Sequence, residues 1–391
     1  MRPAAVATRV ASIDFVRGLA MVLMAIDHVR VYSGQPAGGP TPGIFFTRWV
    51  THFVAPAFVF LAGTSAFLHG RRPGATRVLS SFLALRGLWL VLLELTVLRM
   101  AWTFNLDFSH YMLAGVMWMI GWCMVLMAAL VHLPIAAIGA LGVVIIASHN
   151  VLDLAAPTIQ AWFGAAGPHW LLRILYFGGA VDLWPGGPPL LVLFVIVPWI
   201  AVMMAGYAFG AVMSWPVDRR RTFCVRLGLA LTIAFVVLRT LDVYGDPRPW
   251  HGSRLPTLLA FLNTTKYPAS LSFLLMTLGP TIAFVGLAER WSGRVARVFV
   301  TFGRAPLLYY LLHIPVIHVA ALVVSLVRKG HIDPWLFGNH PMAPPPVPDG
   351  YVWRLSLLYG VFAICVAALY LPCKAFARAR AERRSRWMTW F

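Results

Sequence analysis

Charge is what this chain has least of. Asp, Glu, Lys and Arg make up 12% of its 391 residues, and the acids number only 13. A soluble domain carries about twice that charged fraction. With 60% hydrophobic residues and a mean hydropathy of +0.77, a water-facing globular domain is excluded. Cysteine is nearly as scarce. Cys123, Cys224, Cys365 and Cys373 all lie in apolar stretches, which argues against a disulfide framework or a cysteine metal motif. Arg17 and Asp27 interrupt the first apolar run and no small-residue cleavage site follows it, so a cleavable leader is not expected. A glycine-rich phosphate loop and an obvious repeat are also missing. What remains is one integral membrane domain over residues 1–391, with no metal expected.

Because acids are so few, the formal charge reaches +19. The distribution of the cations points to membrane topology and not to a nucleic-acid partner. Ten spans are expected, at 11–32, 47–69, 78–101, 111–131, 134–153, 188–213, 223–244, 267–289, 305–327 and 351–373. Each is near the twenty or so residues a helix needs to cross a bilayer. With the N-terminus inside, about 19 of the 32 basic residues fall in inner loops and tails, the bias of cytoplasmic segments. The expected fold is all-α: a polytopic membrane protein with about ten transmembrane helices and both termini cytoplasmic. The basic stretch 374–387 reads as a contact with lipid headgroups.

The first span breaks the apolar rule. Residues 12–33, SIDFVRGLAMVLMAIDHVRVYS, carry Asp14, Arg17, Asp27 and His28. Such groups each cost roughly 3 kcal/mol at membrane depth on insertion scales and usually face a cavity or a partner. Eleven helical steps of roughly 100° separate Arg17 from His28, so the two return to within about 20° of one face, about 16 Å apart along the axis. Asp14, Arg17, Met21, Ala25, His28 and Tyr32 form one stripe, and Asp27 turns aside toward Arg30. A buried ion pair and a satisfied histidine would explain any one of these groups. Four on a single stripe favour a function.

Other polar groups sit inside apolar spans. His313 falls near a span midpoint with Tyr309 one turn before it, and Pro315 can free a carbonyl beside it. Arg86 and Glu94 share the third span, where an interhelical charge pair is the simplest reading. His149 and Asp153 are one turn apart, with Asn150 between them; a hydrogen-bonded helix end explains them equally well. Snorkelling accounts for Lys266. The outer loops carry Trp162, His169, Trp170, Trp184, Trp250, His251, Trp335 and His340, first an interfacial belt and second a platform for sugar rings.

Taken in order, several segments resemble the heparan-α-glucosaminide N-acetyltransferase catalytic family, in its bacterial branch, within the wider transmembrane acyltransferases. They are RVASIDFVRGLAMVLMAIDH (9–28), FFTRWVTHFVAPAFVFLAGTSAFL (45–68), the Arg86-Gly87 span, WTFN (102–105), SHNVLD (148–153), FLNTTKYPASLSFLLMTLGP (261–280) and FGRAPLLYYLLHIPVIH (302–318). Arg17 and His28 fit the wider group's motif of an arginine, ten residues and a histidine. The animal enzyme of the family departs here, with an asparagine in the place of His28 and a histidine in the following loop.

The resemblance implies an acetyl (acyl) transfer from cytosolic acetyl-CoA to an extracytoplasmic sugar or glycan. It implies phosphate contacts from Arg17, Arg86, Arg71, Arg72 and Arg304, with Asp14 beside Arg17, because guanidinium forks match phosphate oxygens. His28 would be the general base, with Asp27 next to it, and His313 or Tyr309 would polarise the thioester or re-protonate the thiolate. An acetyl-histidine intermediate and direct transfer both stay open. His149, Asn150, Asp153, Lys266 and Asn105 would stand on the acceptor side. Acyl-CoA, a carbohydrate and the lipid bilayer are the implied partners, in a bacterial cytoplasmic membrane. Ala62, Gly63 and Ala66 offer a small-residue face for a homodimer. The rival reading is a proton-coupled transporter or flippase that uses the same polar stripe.

Overall fold

The structure is a computed structural model that describes residues 10–39, 41–70, 74–163, 169–338 and 345–382, without the side chains of 160 and 163. Its helices follow the apolar runs. Helix α1 (Ala11–Tyr32) is followed by α2 (Pro42–Trp49), which passes through a 3₁₀ turn at Val50–Phe53 into α3 (Val54–His69). Pro42 opens α2, and Thr41 caps it by accepting the Ile44 N–H on Oγ1 at 3.4 Å. Next, α4 (Thr76–Leu93) runs through a π-turn at Glu94–Leu98 into α5 (Arg99–Thr103), and α6 (Val116–Leu130) packs along α4. Helices α7 (Ile135–Ser148) and α8 (Val151–Phe163) meet at a bend of 66°. The chain continues through α9 (His169–Leu172), α10 (Val197–Phe209), α11 (Val217–Leu241) and α12 (Thr257–Leu262). It ends with α13 (Leu271–Ala288), α14 (Arg294–Arg304), α15 (Pro306–Lys329), α16 (Trp335–Gly338) and α17 (Leu355–Glu382).

This is a mostly helical integral membrane protein. Among the described residues, seven helical segments are long and apolar enough to cross a bilayer, and up to eight if the bent α7–α8 pair is one span. Every one of the ten expected segments contains a helix. Of the others, α6 has only 15 residues and α1 is the charged helix already noted.

Two of the expected spans start differently from the all-helical expectation. Residues 112–114 and 190–192 form strands β1 (Met112–Ala114) and β3 (Leu190–Val192), and β2 (Gly179–Val181) joins them. The sheet order is β1-β3-β2, with β1 parallel and β2 antiparallel to β3. Short apolar runs such as MLA and LLV fit a buried strand as well as a helix.

Helix α1 lies at the centre, against α3, α13, α14, α15 and α17. Its approach to α14 is tight enough to require glycine on both sides. A Cβ on Gly18 would overlap the carbonyl oxygen of Phe299, and one on Gly303 would overlap that of Asp14. Small residues let membrane helices come this close. The small face of α3 is used in the same way within the chain: a Cβ on Gly63 would overlap the Met203 carbonyl oxygen of α10.

Candidate active site

Two cavities open along α1, one toward each end. The one around His28 has a volume of about 530 Å³ and takes Met24, Asp27, His28 and Val31 from α1. The π-turn adds Glu94 and α5 adds Trp102. Leu113 of β1, Gly115 just after it, and Leu193 and Phe194 just after β3 also line it, so one end of the small sheet borders this chamber. The other cavity, of about 340 Å³, takes Arg17 and Met21 from α1. Phe58 of α3 and Tyr310 of α15 line both and form the wall they share. The stripe read from the sequence therefore reaches two chambers, with Arg17 in one and His28 in the other. Asp27 turns to Arg30, its Oδ1 accepting Nε–H at 2.8 Å.

Histidine 28 is held from behind. Its Nδ1 lies 2.6 Å from Nε2 of His313, and Nδ1 of His313 lies 2.6 Å from the Tyr310 carbonyl oxygen. A carbonyl only accepts, so His313 carries its proton on Nδ1. With both rings neutral, His313 Nε2 accepts from His28 Nδ1–H, and His28 Nε2 is left as a bare lone pair. Trp102 stands edge-on to the His28 ring at 5.0 Å. Tyr309 stacks on His313 with centroids 5.6 Å apart, and its hydroxyl has no partner among the described residues. His313 and Tyr309 are both fully buried, and neither lines either cavity.

The smaller chamber is cationic. Arg17, Arg86, Arg380 and His69 line it, and among the described residues no carboxylate does. Arg17 donates to Ser65 Oγ at 2.6 Å, to Asp14 Oδ1 at 3.2 Å and to the Gly303 carbonyl at 3.3 Å, which fixes its fork. Methionine, leucine and isoleucine side chains make up most of the remaining wall, among them Met21, Leu83, Leu90, Met117, Ile120 and Met124. Such a chamber can take an anionic head and a slender apolar arm.

The other expected residues scatter. Arg304 is half exposed, 3.9 Å from Asp14, and is not part of the cavity wall. Arg71 and Arg72 lie outside the described residues, as does His340. Arg86 and Glu94 line different chambers. His149, Asn150 and Asp153 sit at the α7–α8 bend and tie it to the start of α13. There the ring nitrogens of His149 are 2.9 Å from the Ile146 oxygen and 2.8 Å from the Ala269 oxygen. Asn150 Oδ1 accepts the Leu271 N–H at 2.8 Å, and its Nδ2 donates to Asp153 at 2.7 Å. Asn105 donates to the Phe337 carbonyl at 3.3 Å and accepts from Arg99 at 3.3 Å, away from His28. Lys266 does line the His28 chamber.

Sequence reasoning missed Tyr310, Phe58, Glu94, Arg48 and Arg380 as cavity residues. Tyr310 follows Tyr309 directly, and only the helix phase separates them. Arg380 belongs to a basic stretch that had looked like a headgroup contact. A π-turn places Glu94, whose Oε2 accepts the Met117 N–H at 2.8 Å; such turns are frequent at functional sites.

No curated protein matches the chain significantly. Residues 9–244, which include Arg17, Asp27, His28 and Arg86, match the family model described as heparan-alpha-glucosaminide N-acetyltransferase, catalytic. That match covers more than half of the 391 residues, and the chain belongs to this family of membrane acetyltransferases.

Proposed function

We propose that the protein transfers an acetyl group from acetyl-CoA, held in the Arg17 chamber, to a sugar or glycan acceptor that enters the His28 chamber. The observation that carries this reading is the pair of cavities along one helix, with Phe58 and Tyr310 lining both. Arg17, Arg86 and Arg380 would grip the phosphates, and the thioester arm would pass along Met21 toward the wall. In this reading the Arg17 end faces the cytoplasm, ten helices cross a bacterial cytoplasmic membrane, and both termini are inside. The excess of Lys and Arg on that side supports the orientation.

His28 acts as the general base. Its bare Nε2 takes the proton of the acceptor N–H or O–H as that atom attacks the thioester carbonyl. The C–S bond breaks and CoA leaves as a thiolate, which takes the proton back from the His28 imidazolium. The products are the acetylated acceptor and free CoA. His313 stays behind His28 and accepts its Nδ1–H throughout, which orients the ring and supports the positive charge that forms on it. Asp27, one residue before His28, contributes its charge to the same chamber.

A carrier with the same stripe would move its substrate unchanged. The deciding experiment is a transfer assay with labelled acetyl-CoA and membrane vesicles that contain the protein. Label should reach a glycan, and CoA should raise the thermal midpoint of the purified protein. Uptake of intact substrate, with no thermal response to CoA and no label transfer, would sink the reading.

A further inference from the structure

A third hollow, of about 440 Å³, adjoins the larger chamber. The two share Ala37, Arg48, Lys266 and Tyr267. The hollow has Arg48, His52, Arg248 and Lys266 on its walls and, among the described residues, no carboxylate. Lys266 sits where the two spaces join and is only 8% exposed. Its ammonium lies 5.2 and 5.9 Å from the ring centroids of Tyr267 and Phe194. Among the described residues no carboxylate lies within 4 Å of it and none accepts a hydrogen bond from it, although the charge of Asp27 is felt there. His52 is 6% exposed, and neither of its ring nitrogens has a partner among those residues.

The acids nearby are already committed. Asp27 is bonded to Arg30 at 2.8 Å. Asp246 is turned inward, where it accepts from Thr265 Oγ1 at 2.7 Å, Thr265 N at 2.8 Å, Ser270 Oγ at 2.9 Å and Arg248 N at 3.0 Å. Glu94, on the chamber wall, is bonded to Met117. The Lys266 ammonium therefore faces the cavity with no acceptor of its own, where an anionic ligand can give it a charge-assisted hydrogen bond.

We propose that Lys266 and Arg48 form an anion subsite for the acceptor. The acceptor carries a carboxylate or a phosphate that docks there, while its amine or hydroxyl reaches His28 in the adjoining chamber. The assignment rests on the proposed transfer reaction for the identity of the occupant. The anion subsite itself stands on the walls of the hollow.

The test uses the full chain in detergent, saturated with CoA so that the cationic donor chamber is filled. Three probes are titrated by calorimetry: glucosamine, glucosamine 6-phosphate and 2-amino-2-deoxyglucuronic acid. At least one acidic sugar is expected to bind about tenfold or more tightly than glucosamine, as a charge-assisted contact should allow. The preference should shrink to about threefold or less in Lys266→Gln and in Arg48→Gln, and should weaken with added salt. Which acidic sugar gains identifies the anion. Equal affinity for all three, no binding of either acidic sugar, or a preference that survives both substitutions would overturn the proposal. The thermal response to CoA is read on every variant. A variant that keeps it is folded, and if Lys266→Gln does not fold, Arg48→Gln and the salt dependence decide. If the wild type fails to respond to CoA, the donor assignment falls, and the sugars are compared on the CoA-free protein.

Discussion

Nδ1 of His28 and Nε2 of His313 lie 2.6 Å apart, and a backbone carbonyl behind His313 sets the direction of the hydrogen bond between them. The two rings therefore form one oriented pair, of which His28 lines the larger cavity. His28→Ala should lower the turnover number by about 10²–10⁴-fold, the usual contribution of a general base, with CoA affinity little changed. His313→Leu should cost about 10–100-fold, in the range found when the partner behind a functional histidine is removed. His313→Gln can still accept from His28 and donate to Tyr310, so it should recover much of that loss. A purely packing role for His313 predicts the opposite order, because leucine is the better apolar filler. Steady-state kinetics on the three variants separates the cases.

The cationic chamber predicts a graded response to CoA. Arg17→Ala, Arg86→Ala and Arg380→Ala should each weaken CoA binding by about 10–100-fold, as expected for the loss of one charge-assisted bond to phosphate. Arg304→Ala should cost much less, since its side chain is half exposed and off the wall. Calorimetric titration of CoA measures all four, and equal losses across the set would contradict the chamber assignment.

Contact between α1 and α14 predicts a stability effect remote from the chemistry. Gly18→Ala or Gly303→Ala forces a methyl group into a neighbouring carbonyl, and overpacking of this kind costs about 1–3 kcal/mol. Gly360 is on the exposed side of α17, and a methyl group added there would meet nothing within 4 Å. Gly360→Ala should therefore be neutral or slightly stabilising through helix propensity. Thermal unfolding in detergent checks the contrast.

Glu94 offers a test of the π-turn. Glu94→Ala leaves the buried Met117 N–H without its acceptor, a loss of about 1–3 kcal/mol. Glu94→Gln keeps an acceptor oxygen in place and should unfold close to the wild-type temperature.

Asp333, just past the end of α15, gives a pH signature. Burial alone would raise its carboxyl, but the Trp335 N–H at 3.0 Å and the Lys329 ammonium at 3.1 Å outweigh that and hold it below the usual carboxylate range. The folded state thus binds this proton less readily than the unfolded chain. Its contribution is full above the unfolded value, about 3.9, and is lost as pH falls through the lower folded value. Wild-type thermal midpoints should fall more steeply below about pH 4 than those of Asp333→Asn, which should be less stable than wild type at pH 7.

The helical frame and the polar face of α1 were readable from residue types, because hydrophobic runs and an eleven-residue spacing are local properties. The turn of Asp27 toward Arg30 followed from the same geometry. Long-range pairings were not readable in this way. Nothing in LYLPCKAFARAR says that Arg380 returns to a chamber built by α1, α3 and α4, and nothing in the α15 sequence separates Tyr310 from Tyr309. His52 and Lys266 lie more than 200 residues apart in the chain and meet only at the third hollow. The acids and amides at the α7–α8 bend carried the right chemistry for a site, but the fold uses their hydrogen bonds on the bend itself.

Phe58 and Tyr310 have a consequence for the membrane as well as for the reaction. In the proposed transfer, donor and acceptor approach from opposite faces, and these two rings border both chambers. Trimming either to alanine would widen the space at the border of the two chambers. Such a variant should lose acetyl-CoA to hydrolysis and leak small solutes, which makes the two rings guardians of the permeability barrier.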